Sequence, residues 1–402
     1  MISDEKRIMN NNILTPEVQV FIRQHVHTDA TRIALKKSPF EQVSSSELAQ
    51  QVSGLQKALR KIPEWLEQDK ALYFPEKLNL EQCSSARTGK FKASLLPAGS
   101  TVLDLTGGFG VDSYYFAQRA KNVTHCEINP ELSEIVAYNL GELGADNILF
   151  HTGDGIAFLS ASNARYDCIY TDPSRRVKNQ KVFRLEDCEP NIVAHQDLLF
   201  EHADILLTKL APLLDISLAL NTLSHVQKVY IVSIANDCKE LLFVQRKFYQ
   251  GEPKINTVCL GRGTPDIFTF TQTQEKEAVS AFSTPLRFLY DPDVAITKAG
   301  AFKLIGSSLG LYKLHQHTHL YTHDKLVREF PGRIFQVEKV ISFSAFKKKG
   351  IPTKANIISK NFPLKPVDIR KKFKIKDGGE NYLYFTTLFH DEHVVIHVRQ
   401  VD

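Results

Sequence analysis

The stretch VLDLTGGFGVDS, residues 102–113, decides the fold. An apolar run ends in Asp104, a loop follows with Thr106, Gly107, Gly108 and Gly110, and a helix is expected to open near Asp112. Glycine lets a backbone pass close to a ligand where a Cβ would stand in the way. A glycine-rich loop alone is a weak signal, but between a strand and a helix it marks the first turn of a parallel α/β fold.

Working outward, short runs rich in β-branched residues (TVLDL, NVTHCEI, NILFH, YDCIYTD, ADILLTK, KVYIVSI) alternate with helix-length segments such as PELSEIVAYNLGELG. That alternation predicts βα units and a parallel sheet over residues 96–278, with the sheet order left open. Upstream, residues 1–95 carry apolar positions at helical spacing. Thr15 and Pro16 open one expected helix, and Ser46 is taken as the cap of another carrying Leu48, Val52, Leu55 and Leu59. Downstream, strands joined by one or two helices predict α+β modules over 279–330 and 331–402. The expected fold class is α/β, a Rossmann-like core between a helical N-terminal region and C-terminal α+β modules.

Acids stand at three successive strand ends. Glu127, twenty residues beyond Gly107, is placed to accept from both ribose hydroxyls of an adenosine ligand. Asp154, in Gly153-Asp154-Gly155, is placed to accept from the adenine amino group. Asp112 argues against a dinucleotide, because it sets a negative charge where a pyrophosphate would meet the helix. S-adenosylmethionine, with an amino group and a sulfonium in place of phosphates, suits that acid. The expected cofactor is therefore S-adenosylmethionine, held by Asp104, Thr106, Gly107, Gly108, Gly110, Glu127 and Asp154.

The fourth strand ends in Asp172-Pro173-Ser174-Arg175-Arg176, at the sheet edge where open α/β folds place chemistry. Proline fixes this turn, so the Asp172 carboxylate or nearby carbonyls are positioned to meet an exocyclic amine. Asp172 and Pro173 are the expected catalytic residues, with Ser174, Arg175 and Arg176 on substrate. Lys209 is expected to be solvated. HQHTH (315–319) would place three histidines on one strand face, yet no Cys or carboxylate accompanies them, so surface histidines and no metal are expected.

Composition narrows the partners. The chain has 402 residues, 43% hydrophobic and 24% charged, with net charge +5 and a pI of about 8.7. No stretch approaches the roughly eighteen apolar residues of a membrane span, and MISDEKRIMNNN lacks a secretory h-region, so a cytoplasmic protein is expected. The six cysteines are scattered without C-x-x-C spacing. Eleven Lys/Arg against the single acid Asp368 lie between Lys347 and Lys376. That density, with Phe346, Phe362 and Phe373 interleaved, predicts a nucleic-acid surface including Lys347, Lys348, Lys349, Arg370, Lys371 and Lys372.

These stations resemble a class I methyltransferase. LNLEQCSSARTGKFKA (78–93), the DPSRR turn, TKLAPLLDI (208–216), LYDPDVAITKAGAFKLIG (289–306) and NFPLKPVDIRKKFKIKDGG (361–379) extend the resemblance to bacterial class I methyltransferases with C-terminal ferredoxin-like and THUMP-like domains. The resemblance implies methylation of RNA, either tRNA or rRNA. Exocyclic-amine enzymes typically use Asp/Asn-Pro-Pro-aromatic, and here Ser174 and Arg175 occupy the last two places. The turn is also similar to the Asp-Pro-Pro-Arg of uridine C5 methyltransferases, but the place for their nucleophilic cysteine holds Ile234, and Cys238 is expected on a helix. A base nitrogen is the expected target.

Overall fold

The computed structural model describes residues 9–174, 176–177, 180–181, 184–261, 263–348 and 352–401. They form two compact units. The first holds the chain up to Leu210 with 217–226 and 243–249, and the second holds 211–216, 227–242 and the chain from Gln250 onward.

In the first unit, strands β1 (Thr101–Asp104), β2 (Asn122–Glu127), β3 (Ile148–Thr152), β4 (Tyr166–Thr171) and β5 (Ala203–Leu210) lie in the order 3-2-1-4-5. All four pairings are parallel. The chain order reverses between β1 and β4, so their C-terminal ends flank the crevice where such sheets bind ligands. Leu103, Ile169, Leu206 and Leu159 are almost wholly buried in one core cluster. Each such side chain contributes about 1.5–3 kcal/mol.

Five helices precede the sheet: α1 (Pro16–Gln24), α2 (Ala30–Ala34), α3 (Ser45–Lys61), α4 (Lys77–Gln82) and α5 (Ala86–Ser94). The cap of α3 is Ser44 rather than Ser46. Its hydroxyl accepts from the Glu47 amide while the Glu47 carboxylate accepts from the Ser44 amide. The reciprocal pair needs Glu three residues after the cap, which only Ser44 satisfies. This layer is packed onto the glycine loop: buried Trp65 lies 5.5 Å from the Phe109 ring and 5.2 Å from Tyr114. The extended segment between α3 and α4 is held by two buried amides. Gln51 bonds both backbone groups of Phe74, and Asn139 both of Tyr73.

In the second unit, β6 (Val226–Ile234) pairs in parallel with β8 (Lys254–Cys259), and β9 (Asp266–Phe270) runs antiparallel to β8. Strand β7 (Asp237–Arg246) follows β6 through Ala235-Asn236, whose φ values of 51° and 59° make a two-residue hairpin turn. Cys238 is therefore on a strand, not a helix. Burial pushes its thiol up to about 11, which leaves little thiolate for nucleophilic attack.

Residues 288–400 form one seven-stranded sheet whose order interleaves its early and late strands. Phe288–Pro292 pairs antiparallel with the start of Gly332–Ser342, so the segments around that junction share a sheet and a core of Leu289, Leu314, Phe335 and Tyr384. The histidine run makes the turn between Tyr312–His315 and Thr318–His323, so the three rings do not share a strand face. His315 is buried: its Nδ1 accepts from Asn361 and the His317 amide, leaving Nε2 to donate to Asp391 at 3.2 Å. Among the described residues no His, Cys, Asp and Glu cluster could hold a metal, and no helix is long and apolar enough to cross a membrane.

Candidate functional site

A cavity of about 680 Å³ opens at the C-terminal ends of β1, β2 and β4, within the range of small-ligand sites. The sequence-selected residues Asp104, Thr106, Gly107, Gly108, Gly110, Glu127, Asp154, Asp172 and Ser174 all line it.

Two of the glycines also answer to packing. A Cβ on Gly107 would lie 2.0 Å from His125 Cε1, and one on Gly110 would lie 2.6 Å from Val136 Cγ1. Close packing beneath the loop therefore demands glycine at both positions. At Gly110 a φ of 75° adds a second reason. Only Gly108, at φ 54° with no atom nearer than 3.9 Å to its would-be Cβ, leaves open space.

The Asp104 side chain is wholly buried and accepts from the Thr106 amide at 3.1 Å and from Ser113 Oγ at 2.6 Å. Burial raises its pKa to about 7. It fixes the turn at the floor of the cavity. His125 Nδ1 lies 3.0 Å from the same Ser113 hydroxyl, and burial drives the imidazole down to about 4, so it is neutral at ordinary pH.

Glu127 is half-buried, with burial raising its pKa. One oxygen accepts from the Gly108 amide at 2.9 Å and the other from the Asn129 amide at 2.8 Å. The carboxylate is thereby oriented, and each oxygen keeps a further lone pair. Asp154 caps a short helix, Gly155–Ser160, through Oδ1, and the residue is exposed. Ile128, 69% exposed, and Ile156 line the cavity beside these acids.

Asn79, Gln82, Cys83 and Ser84, from α4 and the turn after it, line the opposite wall of the cavity. Ser84 belongs to a donor-rich segment, Ser84–Lys90, that the sequence offers as a cover for cofactor or substrate, whereas Asn79, Gln82 and Cys83 carry no local signal. Lys61, at the end of α3, donates to the carbonyls of Glu81 and Cys83, both at 2.7 Å, and Lys57 pairs with Glu81 at 2.8 Å. Burial lowers the Lys61 pKa. The helical layer thus clamps one side of the site. Replacing Lys61 by Met strands two carbonyls, and donor affinity is expected to fall about tenfold. Calorimetric titration, with faster hydrogen exchange over residues 79–85, checks this; an unchanged affinity would remove the clamp from the account.

Behind that wall lies a buried polar cluster. Ser84 Oγ and Tyr170 OH both donate to Asp112 Oδ2 at 2.8 Å, and fully buried Lys92 lies 3.2 Å from Oδ1 and 3.0 Å from Ser84 Oγ. Asp112 is therefore charge-compensated, unlike the bare acid the sequence suggested. Its Oδ1 is itself buried and faces Lys92, with no aligned hydrogen-bond donor.

At the end of β4 the Asp172 amide donates to Thr106 Oγ1 at 2.6 Å, tying the Asp-Pro turn to the glycine loop. Lys209, at the end of β5, makes an ion pair with the Asp172 carboxylate and is mostly buried, which corrects the solvated lysine. Ser174 exchanges backbone hydrogen bonds with Glu189 at 2.7 and 3.0 Å, so the chain leaves and returns at the cavity rim. Pro173 is buried in the turn. Arg175, like Lys349, lies outside the described residues, and the Arg176 side chain is not described either.

The C-terminal basic run folds around an aromatic core. Phe346, Phe362 and Phe373 pack with Phe343 and Phe385 in one buried cluster, with Phe346 and Phe373 rings 5.2 Å apart. Phe346 is buried and Phe362 and Phe373 are half-buried, so these rings hold the module together. Lys347, Lys348, Lys371 and Lys372 remain exposed around the cluster, Lys347 over Phe343 and Lys372 over Phe373. Arg370 is paired with Asp377 at 2.5 Å.

S-adenosylmethionine fits this cavity on the donor set present. Glu127 and Asp154 have acceptor capacity for the adenosine, Ile128 and Ile156 offer apolar surface, and Gly108 leaves clearance. The comparisons agree. A ferredoxin-like domain family matches residues 288–331 and a THUMP domain-like family matches 332–400. A crystal structure of a protein from Porphyromonas gingivalis W83, assigned as a methyltransferase, is 30% identical, superposes with a TM-score of 0.86 and covers 100% of both chains. An uncharacterised S-adenosylmethionine-dependent methyltransferase of Mycobacterium tuberculosis (strain ATCC 25618 / H37Rv) is 21% identical over 321 residues, 78% of this chain and 82% of that protein.

Fold, cavity and relatives define a Rossmann-like enzyme that takes its methyl group from S-adenosylmethionine. The chain belongs to the family of S-adenosylmethionine-dependent methyltransferases that carry ferredoxin-like and THUMP-like domains at the C-terminus.

Proposed function

We propose that this enzyme methylates a base nitrogen of RNA, in tRNA or rRNA, in the cytoplasm. The observation that carries the reading is the coincidence of the THUMP-like match with the exposed lysines around the C-terminal aromatic cluster. Such surfaces hold a phosphate backbone.

The donor supplies an electrophilic methyl group on its sulfonium. Methyl transfer is an in-line displacement, so alignment supplies much of the rate. Glu127 and Asp154 would orient the adenosine, and the Asp112 carboxylate would lie on the side of the amino group. Asp172 and Pro173 would present the acceptor: the Asp172 carboxylate, held by Lys209, takes a hydrogen bond from the target amine and receives its proton. Ser174, Arg175 and Arg176 are assigned to the nucleic acid. The phosphate backbone would lie along Lys347, Lys348, Lys349, Arg370, Lys371 and Lys372.

Titration of the full-length protein with total tRNA at stepped salt tests the partner. The double change Lys371→Ala, Lys372→Ala is expected to lower the slope of log K against log salt by about 1.5 while leaving donor affinity unchanged. An unchanged slope, or tighter binding to duplex DNA or to a ribosomal protein, would move the substrate out of RNA.

A further inference from the structure

A second basic surface lies in the first unit, away from the donor cavity. A concavity of about 380 Å³ opens between α1, α2 and the first turn of α3. Arg32, Lys36 and Lys37 line it, with Phe21, His25 and Ser45 among the rest, and no carboxylate is among its lining residues. Three other cations of this layer are paired, Arg23 with Asp69, Lys57 with Glu81 and Lys90 with Glu64. Among the described residues Arg32, Lys36 and Lys37 join no such pair.

The lysines issue from a fixed turn. The Lys36 amide donates to the Ile33 carbonyl at 3.1 Å, and the Lys36 carbonyl accepts from Ser45 Oγ at 2.5 Å. Ser38 Oγ accepts from the Phe40 amide at 3.1 Å and bonds the Val43 carbonyl at 2.5 Å. Phe21 and His25 stack at 4.0 Å, pinned by a 2.8 Å contact from His25 Nδ1 to the Phe21 carbonyl, and give the concavity an aromatic side. Three uncompensated cations around one hollow repel each other, and an entering anion relieves that repulsion. A free phosphate would use the charges alone, whereas cations beside stacked rings match a nucleotide, with phosphate and base together.

We propose that this N-terminal concavity is a second nucleic-acid contact, taking a phosphodiester and its adjoining base from the RNA substrate. The inference rests on the RNA reading above. It assigns the helical layer two tasks: clamping the donor cavity through Lys61 and gripping the substrate through Arg32, Lys36 and Lys37.

The test uses full-length protein and total tRNA from cells lacking the gene, titrated by fluorescence anisotropy at stepped potassium chloride. The triple change Arg32→Ala, Lys36→Ala, Lys37→Ala is expected to lower the salt slope by about two and to weaken binding at least tenfold at low salt. Donor affinity should stay at the wild-type value, which also shows that the layer has folded. The variant Lys36→Arg, Lys37→Arg should retain the wild-type slope. If the triple variant keeps the wild-type slope while the Lys371/Lys372 variant loses its share, the N-terminal site is wrong and the RNA reading stands. If wild type itself binds no RNA, both fall. Displacement of tRNA by millimolar inorganic phosphate from wild type but not from the triple variant would make the concavity a small-anion site and overturn the nucleotide assignment.

Discussion

Replacing Gly107 by alanine is expected to lower the melting temperature by several degrees and to weaken donor binding by at least about a hundredfold. The added methyl would lie 2.0 Å from His125 Cε1 and 2.3 Å from Nδ1. Neither side can yield cheaply. His125 is wholly buried and joined through Ser113 to Asp104, and the Gly107 amide is committed to the Cys126 carbonyl at 2.8 Å. Overpacking of this kind costs about 1–3 kcal/mol, and here the displaced element is the loop that shapes the donor cavity. The double variant Gly107→Ala, His125→Ala should recover much of the loss, because the clash is with one ring. Differential scanning fluorimetry with and without donor reads both effects. A single variant with wild-type melting temperature and donor affinity would show that the loop does not rest on His125 as described.

Replacing Asp172 by alanine is expected to reduce methyl transfer about 10²–10⁴-fold with donor affinity changed by less than about threefold. The proposed donor contacts lie at the ends of β1, β2 and β3, while Asp172 stands at the end of β4, so the two readouts separate. Asp172→Asn keeps the shape and a hydrogen-bonding oxygen but cannot receive a proton. It should fall nearly as far if proton transfer matters, and should retain most activity if alignment alone matters. Lys209→Met removes the cation that orients Asp172 and should lower turnover with little change in donor affinity. Single-turnover assays with saturating donor distinguish these outcomes, and full activity in Asp172→Ala would remove that residue from the site.

What could be seen in the sequence was local. The glycine loop, Glu127, Asp154 and the Asp-Pro turn each sit where a strand pattern stops, and stopping points are visible in a window of a dozen residues. The Lys209–Asp172 pair was hidden because it depends on β4 and β5 being neighbours, and the two residues are 37 apart. Lys92 was hidden for a different reason: on a helix of mixed polarity it looks like any solvated lysine, and only Asp112 and Ser84 beneath it explain its burial. The wall from Asn79 to Ser84 requires α3 to pack across α4, again a long-range fact. The Ser44 cap was legible, since Glu47 three residues on marks the capping box, yet three consecutive serines drew the choice to Ser46. Aromatic residues between lysines are as compatible with a core as with base stacking, and the packing of these rings on Phe343 and Phe385 depends on residues far along the chain.

Comparing nucleosides from tRNA and rRNA of cells with and without this gene, by mass spectrometry, tests the central claim most directly. The account predicts one methylated nucleoside missing in the deletion strain, its methyl on a base nitrogen, restored by the wild-type gene and not by Asp172→Ala. An unchanged nucleoside profile across growth conditions, or a lost nucleoside fully restored by Asp172→Ala, would contradict it.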